Sequence, residues 1–329
     1  MIKKVHIRNF KTLKDLAFPC TRMNVFIGDT STGKSNILEA LTFFSRGALN
    51  GNKFDQRLIR YEKPEDLFAM HDLSEPVVVD IGALRMELGY SMGTFHLGFS
   101  ELKRPGTKLK PLPGSTMDGF GNLPARSPLQ FRTPVRRYEY VADAPFGPNM
   151  FKELEPPYGS NLPGLLAANK PLRTDINNLL APTGMRLKVN LTDTTLMVVR
   201  TVDEDVEEQL PYRIVSDTLK RYLFLYTILA THKGYTLLLD EPEQNAFPFY
   251  VKHTGEMMGF DKDNQYFVTT HNPYLFRSIV EKTPMKELSV LITHIGPDGY
   301  TRLKRLTPTE LGQLLDMDVF FNLDRFVKP

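Results

Sequence analysis

The chain has 329 residues, of which 41% are hydrophobic and 24% charged, so it can bury the core of one large α/β domain or of two modest ones. Its formal net charge of +3 permits a polyanionic partner without requiring one. The single cysteine, Cys20, excludes an intrachain disulfide framework and a zinc site built on cysteines. The N-terminus lacks the apolar region of a signal peptide, and no stretch approaches the ~18 apolar residues of a membrane span. We therefore expect a cytoplasmic protein without membrane contact.

The first hundred residues alternate between predicted strands and one helix. Residues 2–8 alternate apolar and polar side chains, as a half-buried strand does, and residues 13–18 resume that pattern. An apolar run at 25–27 predicts a third strand, and residues 36–46 carry apolar side chains at helical spacing. Glycine-containing turns then separate three predicted strands, which indicate an antiparallel meander: 77–81, 85–90 and 94–99.

Residues 101–150 differ in composition from the rest of the chain, because prolines and glycines recur and basic residues outnumber acidic ones. The segment predicts a long loop or a small irregular lobe, with a strand over 137–142 that returns to the core. Two interpretations of its charge stay open: contact with a nucleic-acid backbone, or a mobile loop whose charges are solvated. The basic residues are Lys103, Arg104, Lys108, Lys110, Arg126, Arg132, Arg136 and Arg137.

The remainder predicts a helical segment at 162–180 that Pro163 and Pro171 interrupt, followed by a strand-rich segment at 185–200 and an acidic turn at 203–208. An apolar helix is expected over 219–231, with Ser216 or Asp217 as its N-cap. Further elements are predicted in the last third: strands at 236–239 and 266–270, a helix near 250–258, a hairpin at 289–306 and a helix at 309–315.

A glycine-rich loop follows the strand at 25–27 and precedes the first helix. It fits the pattern G-x-x-x-x-G-K-[ST], in which glycines let backbone N–H groups turn toward a phosphate chain. The positive end of the following helix favours the same anion. We expect Lys34 to reach the β- and γ-phosphates of ATP, and Ser35 to bind Mg²⁺. The predicted nucleotide-binding residues are Gly28, Asp29, Thr30, Ser31, Thr32, Gly33, Lys34, Ser35 and Asn36.

Two further motifs place polar side chains at strand ends. Asp240 and Glu241 end the apolar strand at 236–239, where Asp240 can face Mg²⁺ through water and Glu241 can accept a proton from an attacking water. His271 ends the next predicted strand, about one βαβ step later, and we expect it to contact the γ-phosphate. The alternatives are ordinary ones: strand-end acids that cap a turn, and a surface or core histidine.

The order of these features resembles the ABC-type ATPases: a phosphate loop, Ser-Asp-Thr before an apolar helix, LLLDEPE, then TTHNPYL. Within that class the chain is similar to the RecF/SMC/OLD branch, whose first hairpin resembles MIKKVHIRNFKTLKDL. YGSNLPGLLAAN and DVFFNLDRF resemble segments of its small bacterial members that lack a coiled coil. The resemblance extends over nearly the whole chain and is most specific at 23–40 and 212–275.

The resemblance implies an α/β fold, namely an ABC-type P-loop ATPase head with a mostly parallel core sheet, an antiparallel β subdomain and a helical lobe that carries the signature segment. It implies one domain over 1–329, with four parts: an N-terminal lobe with the phosphate loop and antiparallel strands (1–100), the Pro/Gly-rich basic insertion (101–150), the helical and signature lobe (151–231), and a part with the acidic Walker B motif, the switch histidine and the C-terminal hairpin (232–329).

The resemblance also implies a mechanism. Two protomers would close head to tail around two ATP molecules, and Ser216 would reach the nucleotide of the opposite protomer. Lys34, Ser35 and Asp240 would hold phosphate and Mg²⁺, Glu241 would activate water, and His271 would sense the γ-phosphate. Residues 243–246 would form the D-loop, which crosses between protomers.

Three departures from the family pattern bear on this mechanism. The glycine that normally follows Ser-x in the signature is replaced by Thr218, which puts the close approach of this segment to the γ-phosphate in doubt. No Q-loop glutamine stands at the expected place, where Ala142 and Asp143 end the predicted strand. Only about 55 residues follow TTHNPYL, too few for the Toprim nuclease domain of the OLD proteins. Any nuclease or toxin effector is therefore expected on a separate chain.

These features predict an ATP-hydrolysing switch that dimerises on ATP binding and serves DNA maintenance or phage defence, with slow or partner-stimulated turnover. The alternative is an ATP-binding regulatory module with little or no turnover that controls a protein partner. A transporter ATPase subunit would require the full LSGGQ signature and a Q-loop glutamine. A nucleoside-kinase-type phosphotransferase would not require Glu241 and His271 in this order.

Overall fold

A computed structural model describes residues 1–101, 110–124, 133–147, 151–190, 195–203 and 205–327. Its strands in chain order are β1 (Lys4–Phe10), β2 (Leu13–Pro19), β3 (Met23–Gly28), β4 (Leu49–Asn50), β5 (Lys53–Phe54), β6 (Val77–Ile81), β7 (Leu84–Ser91), β8 (Thr94–Glu101), β9 (Lys110–Met117), β10 (Val135–Tyr138), β11 (Met185–Asn190), β12 (Thr195–Thr201), β13 (Glu207–Pro211), β14 (Thr236–Asp240), β15 (Gln265–Thr269), β16 (Leu288–Ile295) and β17 (Thr301–Arg305).

The α-helices of the described residues are α1 (Lys34–Thr42), α2 (Leu162–Ala168), α3 (Lys170–Leu180), α4 (Asp217–Thr231), α5 (Pro248–Phe260), α6 (Pro273–Lys282), α7 (Pro308–Leu315) and α8 (Asp324–Val327). Short 3₁₀ turns lie at Pro64–Leu67, Ala69–His71, Ala181–Thr183, Tyr212–Ile214 and Met285–Glu287. No helix within these described stretches has the length and apolar character needed to cross a membrane.

One sheet has six antiparallel strands in the order β2-β1-β6-β7-β8-β9. The predicted meander is confirmed, since Val77–Ile81 pairs with β7 and β7 pairs with β8. The sheet extends further than the sequence indicated, because Lys110–Met117 pairs with β8 as an edge strand. Part of the basic insertion is therefore regular structure, which the prolines of this segment concealed: proline is tolerated in edge strands, where a backbone N–H has no ladder partner.

The second sheet runs in the order β10-β14-β15-β3-β16-β17. Its first five strands are parallel, and β17 returns antiparallel to β16. All residues of β3 and β15 are buried, as expected for parallel strands that are covered on both faces. Because the strands run the same way, the ends of β3, β14 and β15 meet at one edge of the sheet. The phosphate loop lies at this edge, together with the acidic motif after β14 and the histidine motif after β15.

Helix α1 lies between the two sheets and joins them into one hydrophobic cluster. Its residues Ile37, Leu38 and Leu41 are buried with core side chains of the parallel sheet, such as Phe26 and Phe267. A second cluster fills the opposite face of the parallel sheet and includes residues of α4, α5 and α6. Helix α1 is thus packed against buried core side chains of both sheets.

A third sheet, of order β11-β12-β13, packs beside α3 and belongs to the same cluster as α4. The acidic turn predicted at 203–208 is partly wrong, because Glu207–Pro211 forms a strand paired with β12. The prolines at 163 and 171 begin α2 and α3 rather than breaking one helix, since proline's fixed φ and missing N–H suit the first turn.

Candidate functional site

The phosphate loop connects the end of β3 to the start of α1. Gly28 has a φ of 150° and Gly33 a φ of 95°, both in the region that favours glycine. A Cβ at Gly28 would collide with Thr293, and one at Gly33 would collide with Thr301. The two glycines that define the motif are therefore required by conformation and by space.

Lys34 lies buried within this loop, with 5% of its surface exposed. Its Nζ donates hydrogen bonds to the carbonyl oxygens of Gly28 (2.9 Å) and Asp29 (2.6 Å). Burial lowers the pKa of Lys34, although the nearby carboxylates of Glu241, Asp240 and Asp29 oppose the shift. The N–H groups of this ammonium could donate to the oxygens of a phosphate chain instead of to the two carbonyl oxygens.

The other predicted loop residues divide into two groups. Asp29, Thr30 and Ser31 are exposed, whereas Thr32 is buried and donates to the Asp29 carbonyl at 2.8 Å. Asn36 donates from Nδ2 to Thr12 Oγ1 at 2.9 Å, so its side chain holds α1 against the N-terminal hairpin. The side chains of Thr32 and Asn36 therefore stabilise the loop, whereas the exposed residues at 29–31 are accessible to a ligand.

Asp240 ends β14 beside Ser35, as the motif order predicts. Ser35 Oγ donates to Asp240 Oδ1 at 3.2 Å, and Thr269 Oγ1 donates to the same oxygen. The guanidinium of Arg137 donates to Asp240 Oδ2 at 3.2 Å. Burial raises the pKa of Asp240, but Arg137, Thr269 and Ser35 outweigh it and hold that pKa below its ordinary value. A hydroxyl and an ionised carboxylate are the oxygen ligands that Mg²⁺ accepts, directly or through water, so these residues fit the ion.

Glu241 and His271 are brought together across neighbouring strand ends. His271 Nε2 lies 3.4 Å from Glu241 Oε1, and Gln244 Nε2 donates to Glu241 Oε2 at 2.7 Å. Glu241 has a φ of 43°, and its backbone N–H donates to the Thr269 side chain and carbonyl. Burial and the charge of Lys34 lower the pKa of His271 despite the nearby carboxylates, so the ring is neutral at pH 7. The pair can orient a water or a phosphate oxygen.

Glu243 links the loop after Glu241 to the segment that follows β15 and carries His271. The resemblance assigned it to a D-loop that crosses between protomers, but its side chain is buried. Its Oε1 accepts hydrogen bonds from Thr270 Oγ1 (2.5 Å) and from the backbone N–H of His271 (3.2 Å). Burial raises the pKa of Glu243 to about 7, against these hydrogen bonds. Glu243 is thus a positioning residue for the segment that carries His271, and nothing in its sequence context indicated that role.

We expect Glu243→Ala to lower the free energy of unfolding by about 1–3 kcal/mol, because it leaves Thr270 and the His271 N–H without their buried acceptor. Glu243→Gln should cost less than ~1 kcal/mol, since its amide oxygen still accepts both bonds and its charge matches that of the protonated acid. Urea denaturation of the three proteins measures this. Equal destabilisation by both variants would contradict an acceptor role.

The strand predicted over 137–142 has the wrong bounds, because β10 runs from Val135 to Tyr138. Glu139 follows the strand and, since Tyr138 pairs with Leu239, it stands beside Asp240. Burial raises the pKa of Glu139, while the charge of Arg137 opposes the shift. The register of a parallel strand pair is a long-range feature, so the sequence pattern could not locate this residue.

Arg137 and Arg136 contradict the interpretation that this part of the basic segment binds nucleic acid. Arg137 is buried, with Nη2 also 3.4 Å from Glu139 Oε2. Arg136 lies over the Tyr235 ring, 4.7 Å from its centre, and donates to the carbonyls of Thr133 and Val135. Removing Arg137 would take away the cation that pairs with Asp240, so we expect such a variant to alter the candidate nucleotide site as well. Most other basic residues of the segment, including Arg132, lie outside the described residues.

Ser216 lies at the N-cap position of α4 and is exposed, and its side chain makes no capping hydrogen bond with the described residues. The neighbouring Thr218 donates from Oγ1 to the carbonyl of Asn245 at 2.8 Å, which joins the signature segment to the loop after Glu241. No hydrogen bond in the described part of the chain connects Ser216 to its own phosphate loop. Its role toward an opposite protomer stays a prediction.

A cavity of ≈ 250 Å³ opens beside Ser35 and Asp240. Glu39 in its wall is paired with Lys11 and with Arg60, the latter at 2.6 Å. Its lining is made of charged and polar side chains with one leucine: Ser35, Glu39, Arg57, Leu58, Arg60, Arg137, Glu139, Asp240, Glu241 and Gln244.

Comparison with known proteins places these features in context. Residues 1–81 match the family described as AAA ATPase domain. The DNA replication and repair protein RecF of Clostridium kluyveri is 34% identical over 74 residues, which are 22% of this chain and 20% of that protein. RecF of Lactococcus lactis is 32% identical over 65 residues, 20% of this chain and 18% of that protein. The chain thus spans about a fifth of the length of the curated relatives it matches.

Solved structures resemble almost the whole chain. An Smc head bound to the C-winged helix domain of ScpA has a TM-score of 0.55 at 13% identity, covering 95% of this chain and 99% of that one. An Smc head domain with an extended coiled coil, bound to the C-terminal domain of ScpA and derived from Pyrococcus furiosus, has a TM-score of 0.51 at 12% identity, covering 96% and 98%. The chain therefore shares the α/β fold of these Smc heads, and the predicted fold class is confirmed.

Proposed function

We propose that this chain is an ABC-type ATPase of the RecF/SMC branch that binds and hydrolyses Mg·ATP and uses the cycle as a dimerisation switch. The observation that carries the proposal is the convergence of five side chains at one sheet edge. Lys34 and Ser35 follow β3, Asp240 and Glu241 follow β14, and His271 follows β15. Hydrogen bonds and short distances join Ser35 to Asp240 and Glu241 to His271.

The residues divide the chemistry between them. Lys34 and the N–H groups of the loop hold the phosphate chain, with the start of α1 facing the anion. Ser35 and Asp240 hold Mg²⁺, which when bound neutralises charge on the phosphate oxygens. Glu241 accepts a proton from the attacking water, because a carboxylate positioned within hydrogen-bond reach is a general base. Neutral His271 contacts the γ-phosphate, and its backbone is fixed by Glu243.

The dimer is the second part of the proposal. Ser216 on one protomer faces the nucleotide of the other, and the contact of Thr218 with Asn245 links that segment to the loop after Glu241. Such a link would let a nucleotide bound in one protomer influence the neighbouring loop. The threonine in place of the usual glycine makes the closure slow or dependent on a partner, in keeping with regulation rather than continuous turnover.

The partner is proposed to be a separate effector, a nuclease or toxin, in DNA maintenance or phage defence. The RecF relatives are DNA replication and repair proteins, and the Smc heads bind a protein partner, ScpA. These likenesses support a setting with DNA, a protein partner or both. The location is proposed to be the cytoplasm.

Phosphate release measured with and without duplex DNA tests the proposal. We expect slow ATP turnover that Glu241→Gln abolishes and that the exposed control Glu208→Gln leaves unchanged. ATP binding without turnover under every condition would instead favour the alternative, a regulatory module that controls a protein partner.

A test of direct DNA binding by the basic segment requires a variant whose substitutions lie outside the candidate nucleotide site. We expect Lys103, Arg104, Arg126 and Arg132, changed together to alanine, to flatten the log–log salt dependence of duplex binding by up to about 0.9 for each phosphate that the variant no longer neutralises. Filter binding across salt concentrations, with ATP present, measures the slope. An unchanged slope with unchanged ATP affinity would remove this segment from DNA binding.

A further inference from the structure

Arg137 occupies an unusual place in the cavity beside Ser35. Its side chain is only 3% exposed, and it donates from Nη2 to both Asp240 Oδ2 (3.2 Å) and Glu139 Oε2 (3.4 Å). Its Nε and Nη1 are also buried, and neither has a hydrogen-bond partner among the residues that the structure describes. Within these residues the guanidinium therefore makes its side-chain hydrogen bonds to the carboxylates of Asp240 and Glu139, and two donor nitrogens remain free for a ligand.

Arg137 offsets the negative charge of the carboxylates that line the cavity. Glu39 is already paired with Lys11 and Arg60, which leaves Asp240, Glu139 and Glu241 as the other carboxylates that line the cavity with Ser35. Within the described part of the chain, Arg137 is the cation that contacts two of them. Arginine stays protonated at any physiological pH, so this positive charge is permanent. Lys34 also lies near Asp240 and Glu241, but its Nζ donates to the carbonyls of Gly28 and Asp29. Without Arg137, three carboxylates beside a serine hydroxyl would attract a divalent cation more strongly.

A purely structural ion pair would be expected to satisfy its own donors, because an unpaired buried donor costs free energy. Arg137 leaves two unpaired while holding the carboxylate that the metal needs. The spare N–H groups can donate to oxygens of an incoming ligand without the guanidinium leaving the cavity. This arrangement suits a residue whose partners change when the site fills.

From these contacts we infer that Arg137 is a cationic gate on the metal position: it holds Asp240 and Glu139 as an internal substitute for the ion, so that a divalent cation enters only together with the phosphates of ATP. The inference rests on the proposed function, because it assigns the order of binding at that same site. It predicts that free metal is excluded and that metal and nucleotide bind with strong mutual dependence.

The test uses Mn²⁺ as a probe, with free Mn²⁺ followed by electron paramagnetic resonance on the full chain. Nucleotide-free parent protein should take up no Mn²⁺ at concentrations that saturate the complex with a non-hydrolysable ATP analogue. Arg137→Gln without nucleotide should bind Mn²⁺ at least about tenfold more tightly than the parent, since one unit charge close to the ion is removed. Arg137→Lys, which keeps a positive charge, should exclude Mn²⁺ as the parent does.

Two controls locate the effect. Arg136→Gln changes the neighbouring arginine of β10, which contacts Tyr235 instead of Asp240, and should behave as the parent. Adding Asp240→Asn to Arg137→Gln should remove the gained Mn²⁺ binding. Equal Mn²⁺ affinity in the parent and in folded Arg137→Gln would overturn the gate, and so would tight Mn²⁺ binding by the nucleotide-free parent, a result that needs no variant. If calorimetry finds no binding of the Mg²⁺-analogue complex to the parent, the proposed function fails instead.

Discussion

Lys34→Ala is expected to lower ATP affinity at least about 100-fold, because each hydrogen bond from a charged donor contributes about 1.5–3 kcal/mol and this ammonium would make two or more to the phosphates. Alanine cannot replace a point charge at the centre of the loop. Isothermal calorimetry with Mg·ATP measures the change, and the exposed Lys286→Ala serves as the control.

The variant should remain folded. Lys34 is buried, and burial lowers its pKa, which means that the folded protein disfavours its charged form. Loss of the charge therefore removes a cost as well as the two hydrogen bonds to the carbonyls of Gly28 and Asp29. Weak binding with an unchanged melting temperature would assign the effect to the ligand. Parent-like affinity would exclude residues 28–35 as the nucleotide loop.

The second large effect is expected for Glu241→Gln, which should bind ATP like the parent but lose about 10²–10⁴-fold in turnover. The amide retains the shape of the carboxylate and can still accept a hydrogen bond from Gln244, which donates to Glu241 at 2.7 Å in the parent. It cannot take a proton from water. Single-turnover phosphate release separates this loss from changes in binding, and the exposed Glu208→Gln variant serves as the control.

Parent-like hydrolysis by this variant would remove Glu241 from the general-base role. His271 would then be the next candidate, because its ring is neutral and lies 3.4 Å from the same carboxylate. A matched His271→Gln variant would distinguish the two, since it retains hydrogen bonding but cannot act as a base.

Local motifs located most of the site in the sequence. The phosphate loop could be predicted because its glycines, lysine and serine are contiguous and have conformational and chemical reasons to be there. Asp240 and His271 could be predicted because each ends an apolar strand, and parallel strands bring such ends to one edge. The hairpin and the meander were likewise encoded in local alternation and glycine turns.

Features that depend on long-range pairing could not be predicted. The contact between Arg137 and Asp240 joins residues 103 positions apart, and it exists because β10 pairs with β14 in one register. The same register places Glu139 beside Asp240, several residues before the strand end that the sequence indicated. The edge strand β9 was hidden because its prolines resemble those of a loop. Pairing partners of this kind are set by the packed fold rather than by neighbours in sequence.

Sedimentation velocity of Glu241→Gln tests whether ATP closes two protomers over the nucleotide. With Mg·ATP we expect a species of twice 37.6 kDa. With ADP or without nucleotide we expect the 37.6 kDa monomer, and Lys34→Ala should stay monomeric throughout. A Glu241→Gln protein that remains monomeric while calorimetry shows its site saturated with ATP would exclude an ATP-driven dimer.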